Sequence, residues 1–268
     1  MASTKPRSKF ANVNGIRMHY LEWGEPGAID LILAHGWSSW GQSWSDIAEK
    51  IQGQYHIIAP DHRGHGESDK PETGYRLRDF ADDIHQLIAE LGLKRPFYAG
   101  NSWGGCIGTI MAADYPQDIT MAFLGEPVYW KLLSAFVTNL PVILNRRKRS
   151  DKELTEEFRQ QGMTQPAIDQ SLVRLRKFSE KALTRLLTDN RDFALNCEEY
   201  LKRIIVPTMI IVGDPAAGGY ILREEAEYVK RIASPMVRVT HWEGVGHGVS
   251  NAQPERYLRE MLAFFEER

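Results

Sequence analysis

The sequence predicts an α/β fold: a mostly parallel sheet with helices on both faces, interrupted once by an all-helical stretch. Three observations carry this. Short apolar runs alternate with segments of helical spacing through most of the chain. The turn Gly100-Asn101-Ser102-Trp103-Gly104 joins an apolar run to a helix of small residues. From Val128 to about Arg203 the alternation stops and only helical segments follow. At 268 residues, 43% of them hydrophobic, the chain can build one large domain with an insertion and bury a sizeable core.

Taken in order, the first nine residues are polar and basic without an apolar stretch, and read as a frayed tail. Phe10 to Gly24 alternates around Asn14-Gly15, a strong hairpin signal, so two antiparallel strands open the fold. Asp30 to Ala34 reads as a buried strand ending at His35-Gly36-Trp37. A helix near Trp44 to Ile51 and a strand from Tyr55 to Pro60 follow, running into Asp61-His62-Arg63-Gly64-His65-Gly66-Glu67-Ser68. Leu77, Phe80, Ala81, Ile84, Leu87, Ile88 and Leu91 form one unbroken helical face, and Gly92 ends it. Pro96 to Ala99 is the strand before the serine turn, Gly104 to Ala113 the helix after it. Ile119 to Gly125 is a further strand, closing at Glu126-Pro127.

Within the helical stretch, Leu172 to Leu187 reads as one helix and Gln165-Pro166 as a turn. Arg146-Arg147-Lys148-Arg149 reads as a solvated face rather than a ligand site. The sheet resumes with Val206 to Val212, a helix near Leu222 to Ile232, a strand near Met236 to Trp242, and a closing helix from Pro254 to Phe265. The expected division is therefore a core over 1–127 and 204–268, with a helical insertion over 128–203.

Bulk properties exclude several classes. A net charge of −2 argues against nucleic acid and anionic membrane surfaces. No apolar run approaches the ~20 residues that span a bilayer. Cys106 and Cys197 lie on different elements without metal-ligand spacing, and Cys106 reads as a packed thiol rather than half of a disulfide. No histidine-rich cluster or phosphate-cradling loop appears, so no metal and no organic cofactor are expected. A cytoplasmic location is expected, and a homodimer is left open.

The chemistry starts at Ser102. Gly-x-Ser-x-Gly between a strand and a helix is the nucleophile elbow, a turn so sharp that both flanking positions must be small. With it, His35-Gly36-Trp37, the run Asp61 to Ser68, and Gly244-Val245-Gly246-His247 stand in the order of the α/β-hydrolase superfamily, which the chain resembles over nearly its whole length. The resemblance implies an eight-stranded sheet with a helical cap after the sixth strand. It implies that His247, in the loop between the last strand and last helix, is the base. His241 is the nearest competitor but falls within the preceding strand, and His35, His62 and His65 look structural.

The acid departs from the common pattern. In most such hydrolases it lies three residues beyond the glycine after the seventh strand, where this chain has Ala216. Asp214 is one residue past Gly213, where the family often carries a structural acid. A subset keeps its acid after the sixth strand, and zearalenone-type lactonases are similar to this chain in that respect. Glu126 is therefore preferred, with Asp214 as the alternative. An acid in either place serves if it reaches the imidazole.

The backbone N–H groups of Trp103 and, by resemblance, Trp37 are the expected oxyanion donors. Trp37, Trp40, Trp44, Trp103 and Trp130 cluster near the motifs and hint at an aromatic pocket, although packing explains each singly. The expected activity is carboxylic ester hydrolysis through an acyl-enzyme on Ser102. The small-molecule substrate is then an ester, or a lactone on the same triad. Carbon–carbon bond hydrolysis, hydroxynitrile lyase or perhydrolase chemistry, and a hydrolase-fold ligand receptor are the other readings.

Overall fold

The computed structural model describes residues 5–130 and 132–268, without the side chains at 132, 133, 135 and 136. Strands β1 (Arg7–Val13) and β2 (Ile16–Trp23) form the opening hairpin. Both turn residues are left-handed, Asn14 at φ 44° and Gly15 at φ 76°, as a tight two-residue hairpin requires. The strand starts at Arg7 and so takes up the last three residues of the expected frayed tail, while residues 1–4 lie outside the described residues. Arg7 and Lys9 both reach Glu22 on the partner strand, at 2.7 and 2.5 Å, which anchors this edge.

Six further strands complete the sheet: β3 (Ile29–Ala34), β4 (Tyr55–Pro60), β5 (Phe97–Asn101), β6 (Ala122–Gly125), β7 (Thr208–Val212) and β8 (Val237–His241). Their order is β1-β2-β4-β3-β5-β6-β7-β8, parallel from β4 onward. Strand side chains alternate between two buried layers, as the two-residue period demands. Ile32, Tyr98, Leu124 and Ile210 face one layer with α2 (Leu77–Glu90) and α3 (Trp103–Asp114). Leu31, Leu33, Ala99, Phe123 and Ile211 face the other, with α1 (Ser45–Ile51) and the C-terminal helix Pro254–Phe265.

Among the described residues, five helices lie between β6 and β7: α4 (Leu132–Lys148), α5 (Asp151–Gln160), α6 (Gln165–Lys177), α7 (Glu180–Thr188) and α8 (Arg191–Arg203). The single helix expected over 172–187 is two. Phe178 is extended, and Ser179 caps α7 by accepting from the Ala182 N–H while its own N–H bonds the Gly64 carbonyl. Gln165-Pro166 is not a turn but the first turn of α6, where proline forfeits no intrahelical bond. The basic run is only partly a solvated face. Arg146 and Arg149 clamp Glu157 of α5, and Arg147 bonds the Leu175 carbonyl of α6. The chain closes with α9 (Arg223–Ile232), α10 (Val249–Ala252) and α11 (Pro254–Phe265).

The insertion packs on loops at the carboxyl ends of the strands. Lys177 pairs with Glu67 and lies over the Trp40 ring. Among the described residues no helix is long and apolar enough to cross a membrane, and no group of His, Cys, Asp and Glu is arranged to hold a metal. Both cysteines are free and buried; burial pushes the Cys197 thiol up to about 12 and Cys106 higher still.

Candidate active site

Three strands end at the site. β5 delivers Ser102 at φ 56°, ψ −114°, a strained conformation held because its N–H bonds the Gly125 carbonyl at 2.8 Å. The flanking glycines are steric necessities. A Cβ on Gly104 would run into the Ala34 carbonyl and come 2.9 Å from that of His35, and one on Gly100 would stand 2.5 Å from the Gly104 oxygen. β6 delivers Glu126, also left-handed at φ 45°, with its N–H on the Ile211 carbonyl at 2.7 Å. The loop after β8 delivers His247.

These three side chains form one hydrogen-bonded line. The Ser102 hydroxyl donates to His247 Nε2 at 2.8 Å, and His247 Nδ1–H donates to Glu126 Oε2 at 2.9 Å. The proton positions follow from the ends: a carboxylate can only accept, so Nδ1 carries the hydrogen and Nε2 stays free to take one. Glu126 is fully buried. Burial alone would raise its pKa, but the hydrogen bond from His247, the backbone N–H groups of Tyr220 and Gly213, and the His247 charge more than offset it. Its carboxyl is therefore held below the ordinary range and stays ionised. Gly213 donates to Oε1 at 2.9 Å and Tyr220 to Oε2 at 2.9 Å.

Asp214 is elsewhere occupied. Its Oδ1 accepts from Ala216 N–H and its Oδ2 from Gly244 N–H, each at 2.9 Å. It ties the loop after β7 to the loop that carries His247, and makes no bond to the imidazole. His241 sits in β8 with Glu227 as its charged neighbour at 3.8 Å.

His35, His62 and His65 are fully buried and pack ring against ring, the first pair 4.2 Å apart. His35 Nε2 accepts the His62 N–H at 3.0 Å, so its Nδ1–H donates to the Gly36 carbonyl at 2.7 Å. This fastens the turn His35-Gly36-Trp37 beside the serine: a Cβ on Gly36 would lie 3.3 Å from Ser102 Cβ and 3.8 Å from its Oγ. Trp103 opens α3, where the first N–H groups have no intrahelical acceptor. The tryptophan cluster is only partly a pocket. Trp44 and Trp103 are core residues, packed on Tyr257 and Phe80 respectively. Trp130 meets Tyr129 edge-on and Tyr228 at a tilt.

Sequence reasoning missed Tyr220. Its N–H holds Glu126, its ring packs on the His247 imidazole with centroids 4.3 Å apart, and its hydroxyl accepts from Asn139 of α4 at 3.0 Å. The available signal was an aromatic after Gly218-Gly219, in the loop where an acid is usually sought.

Fold and site together define a class: an α/β sheet enzyme with its polar line at the carboxyl ends of central strands. The chain belongs to the α/β-hydrolase fold family, whose model matches residues 31–200. It is similar to Lipase 3 of Moraxella sp. (strain TA144), 30% identical over 260 residues that cover 87% of this chain and 76% of that protein. It is also similar to a soluble epoxide hydrolase of Corynebacterium sp. (strain C12), 37% identical over 142 residues. That match covers 53% of this chain and 49% of the relative, so the chain spans about half the relative's length. Among solved structures, E-2-(acetamidomethylene)succinate hydrolase superposes with a TM-score of 0.82 at 21% identity, covering 97% of this chain and 99% of the other.

Proposed function

We propose that this protein is a serine hydrolase of carboxylic esters. The observation that carries the reading is the line Ser102–His247–Glu126. As Ser102 Oγ attacks the carbonyl carbon, His247 Nε2 takes its proton, and Glu126 stabilises the imidazolium that forms. The tetrahedral oxyanion is received by the N–H groups of Trp103 and Trp37, each such donor supplying typically ~3 kcal/mol in the transition state. The imidazolium then returns the proton to the leaving alkoxide as the carbon–oxygen bond breaks, leaving an acyl-Ser102. Water, deprotonated by His247, releases the acid and regenerates the serine.

The similarity to an epoxide hydrolase does not favour epoxide opening, because that chemistry in this fold uses a carboxylate nucleophile and this chain has Ser102 in its place. A lactone is an internal ester and would follow the same steps. The lactonase reading draws on the acid after β6, the feature shared with zearalenone-type lactonases.

The test is turnover of p-nitrophenyl esters by wild type, Ser102→Ala and His247→Ala, with mass spectrometry after exposure to a fluorophosphonate. Ester hydrolysis should vanish in both variants with folding retained, and the label should map to Ser102. Wild-type turnover by Ser102→Ala would overturn the proposal.

A further inference from the structure

The imidazole of His247 is held at two ends. Its Nε2 accepts from the Ser102 hydroxyl at 2.8 Å, and its Nδ1–H donates to Glu126 Oε2 at 2.9 Å. Bonds at opposite ends of a ring fix where those ends lie, but leave the ring free to roll about the line that joins them. The His247 side chain is 26% exposed, so close packing on every side does not stop that roll. A base that takes the Ser102 proton and then aims Nε2 at a leaving alkoxide and a water depends on this angle. The Tyr220 ring supplies the constraint, lying against the imidazole with centroids 4.3 Å apart and planes inclined by 53°.

Tyr220 is itself pinned at both ends. Its N–H donates to Glu126 Oε2 at 2.9 Å, and a Cβ on the preceding Gly219 would stand 3.0 Å from the Asp214 carbonyl, so the backbone there is tightly seated. The tip of the ring is fixed by Asn139, whose Nδ2–H donates to the Tyr220 hydroxyl at 3.0 Å across 81 residues of chain. Asn139 belongs to the insertion. Its helix α4 is anchored on either side: Tyr129, just before it, bonds Thr109 of α3 at 2.9 Å, and Arg146 near its end holds Glu157 of α5. Leu140, next to Asn139, is buried in the same cluster as Ile107 and Ile110 of α3. Pro141 has no N–H to give the Val137 carbonyl, so α4 lacks one backbone bond beside Asn139 and its seating there depends on side chains.

We propose that Asn139 is a positioning residue: it holds the Tyr220 ring against His247, so that the base is aligned only while α4 of the insertion lies over the core. Asn139 acts through Tyr220 and takes no part in the bonds made and broken. An amide and a phenol suit this role because both are neutral, so the strut adds no charge beside the imidazolium that forms at His247. The inference rests on His247 serving as the base for Ser102.

The experiment measures kcat and KM on 4-nitrophenyl acetate for wild type, Asn139→Leu, Tyr220→Phe and the double variant. In parallel, the His247 Nδ1 proton, identified by its absence from His247→Ala, is followed by proton NMR in the same four proteins without substrate. Asn139→Leu and Tyr220→Phe should each lower kcat about fivefold, the worth of one neutral hydrogen bond, with KM unchanged. The double variant should fall no further, because both substitutions remove the same bond. The Nδ1 resonance should broaden through faster solvent exchange in all three variants. Wild-type kcat in Asn139→Leu, losses that multiply in the double variant, a change confined to KM, or an Nδ1 resonance indifferent to Asn139→Leu overturns the proposal. An Nδ1 proton that responds to both substitutions, in a wild type that turns over no ester, supports the positioning and sinks the ester reading instead.

Discussion

Replacing Glu126 by glutamine changes one atom and tests the whole polar line. Every group around the carboxylate is a donor: Gly213 N–H on Oε1, Tyr220 N–H and His247 Nδ1–H on Oε2. An amide nitrogen in either position therefore faces a hydrogen. If it faces His247, the imidazole must turn its Nδ1 into an acceptor and carry the proton on Nε2, where it cannot accept from Ser102. If it faces Gly213, a buried N–H loses its partner and the loop after β7 must shift, at ~1–3 kcal/mol. The first arrangement sacrifices the catalytic tautomer, for which a loss of ~10⁴ in kcat is the measured scale in comparable triads, about 5 kcal/mol of barrier. The assay is kcat on a p-nitrophenyl ester for wild type, Glu126→Gln and Asp214→Asn. Glu126→Gln should fall by three to four orders of magnitude, and Asp214→Asn by far less, since it touches only loop N–H groups. A Glu126→Gln enzyme within tenfold of wild type, beside a crippled Asp214→Asn, would refute the reasoning.

Other consequences can be measured. Gly104→Ala should cost ~1–3 kcal/mol in chemical denaturation and ~10²-fold in kcat, because the new methyl collides with the Ala34 carbonyl and displaces the serine turn; an unperturbed enzyme would show that the turn has slack. Tyr220→Leu should lower kcat about tenfold, less than Glu126→Gln, since the ring against His247 goes but the N–H to Glu126 stays; loss of activity equal to that of Glu126→Gln would mean that the backbone had moved too. Stability should fall on acidification from about pH 6.5. Burial lowers the pKa of His35, of His65 to about 4 and of His62 to about 3, so the unfolded chain binds protons that the native protein refuses until those values are reached. Glu22 adds to the loss below pH 4.5: burial opposes its ionisation, but bonds from His56, Lys9 and Arg7 hold its pKa at about 2. Denaturation midpoints at pH 7.5, 6 and 5 check this, and a flat profile across that range would contradict it.

The sequence by itself determined whatever depends on neighbours along the chain. The hairpin at Asn14-Gly15, the strand–helix alternation and the Ser102 turn are local, set by backbone sterics and periodicity, and the structure has them where the pattern puts them. Helix breaks in the insertion were less legible. The α6–α7 boundary depends on a bond from Ser179 to Gly64, more than a hundred residues earlier, and no local spacing reports it. Which of two carboxylates meets the imidazole is the clearest case of a tertiary decision. Glu126 and Asp214 follow adjacent strands, and both carry a carboxylate near a loop that faces the imidazole. Only the packed sheet, with the β7 loop N–H groups gathered on Glu126 and those of the Ala216 and Gly244 loops gathered on Asp214, brings the first to His247 and keeps the second from it. Tyr220 belongs with that case. It matters for what the fold brings beside it, and such proximity across tens of residues is a property of the folded surface that no stretch of sequence contains.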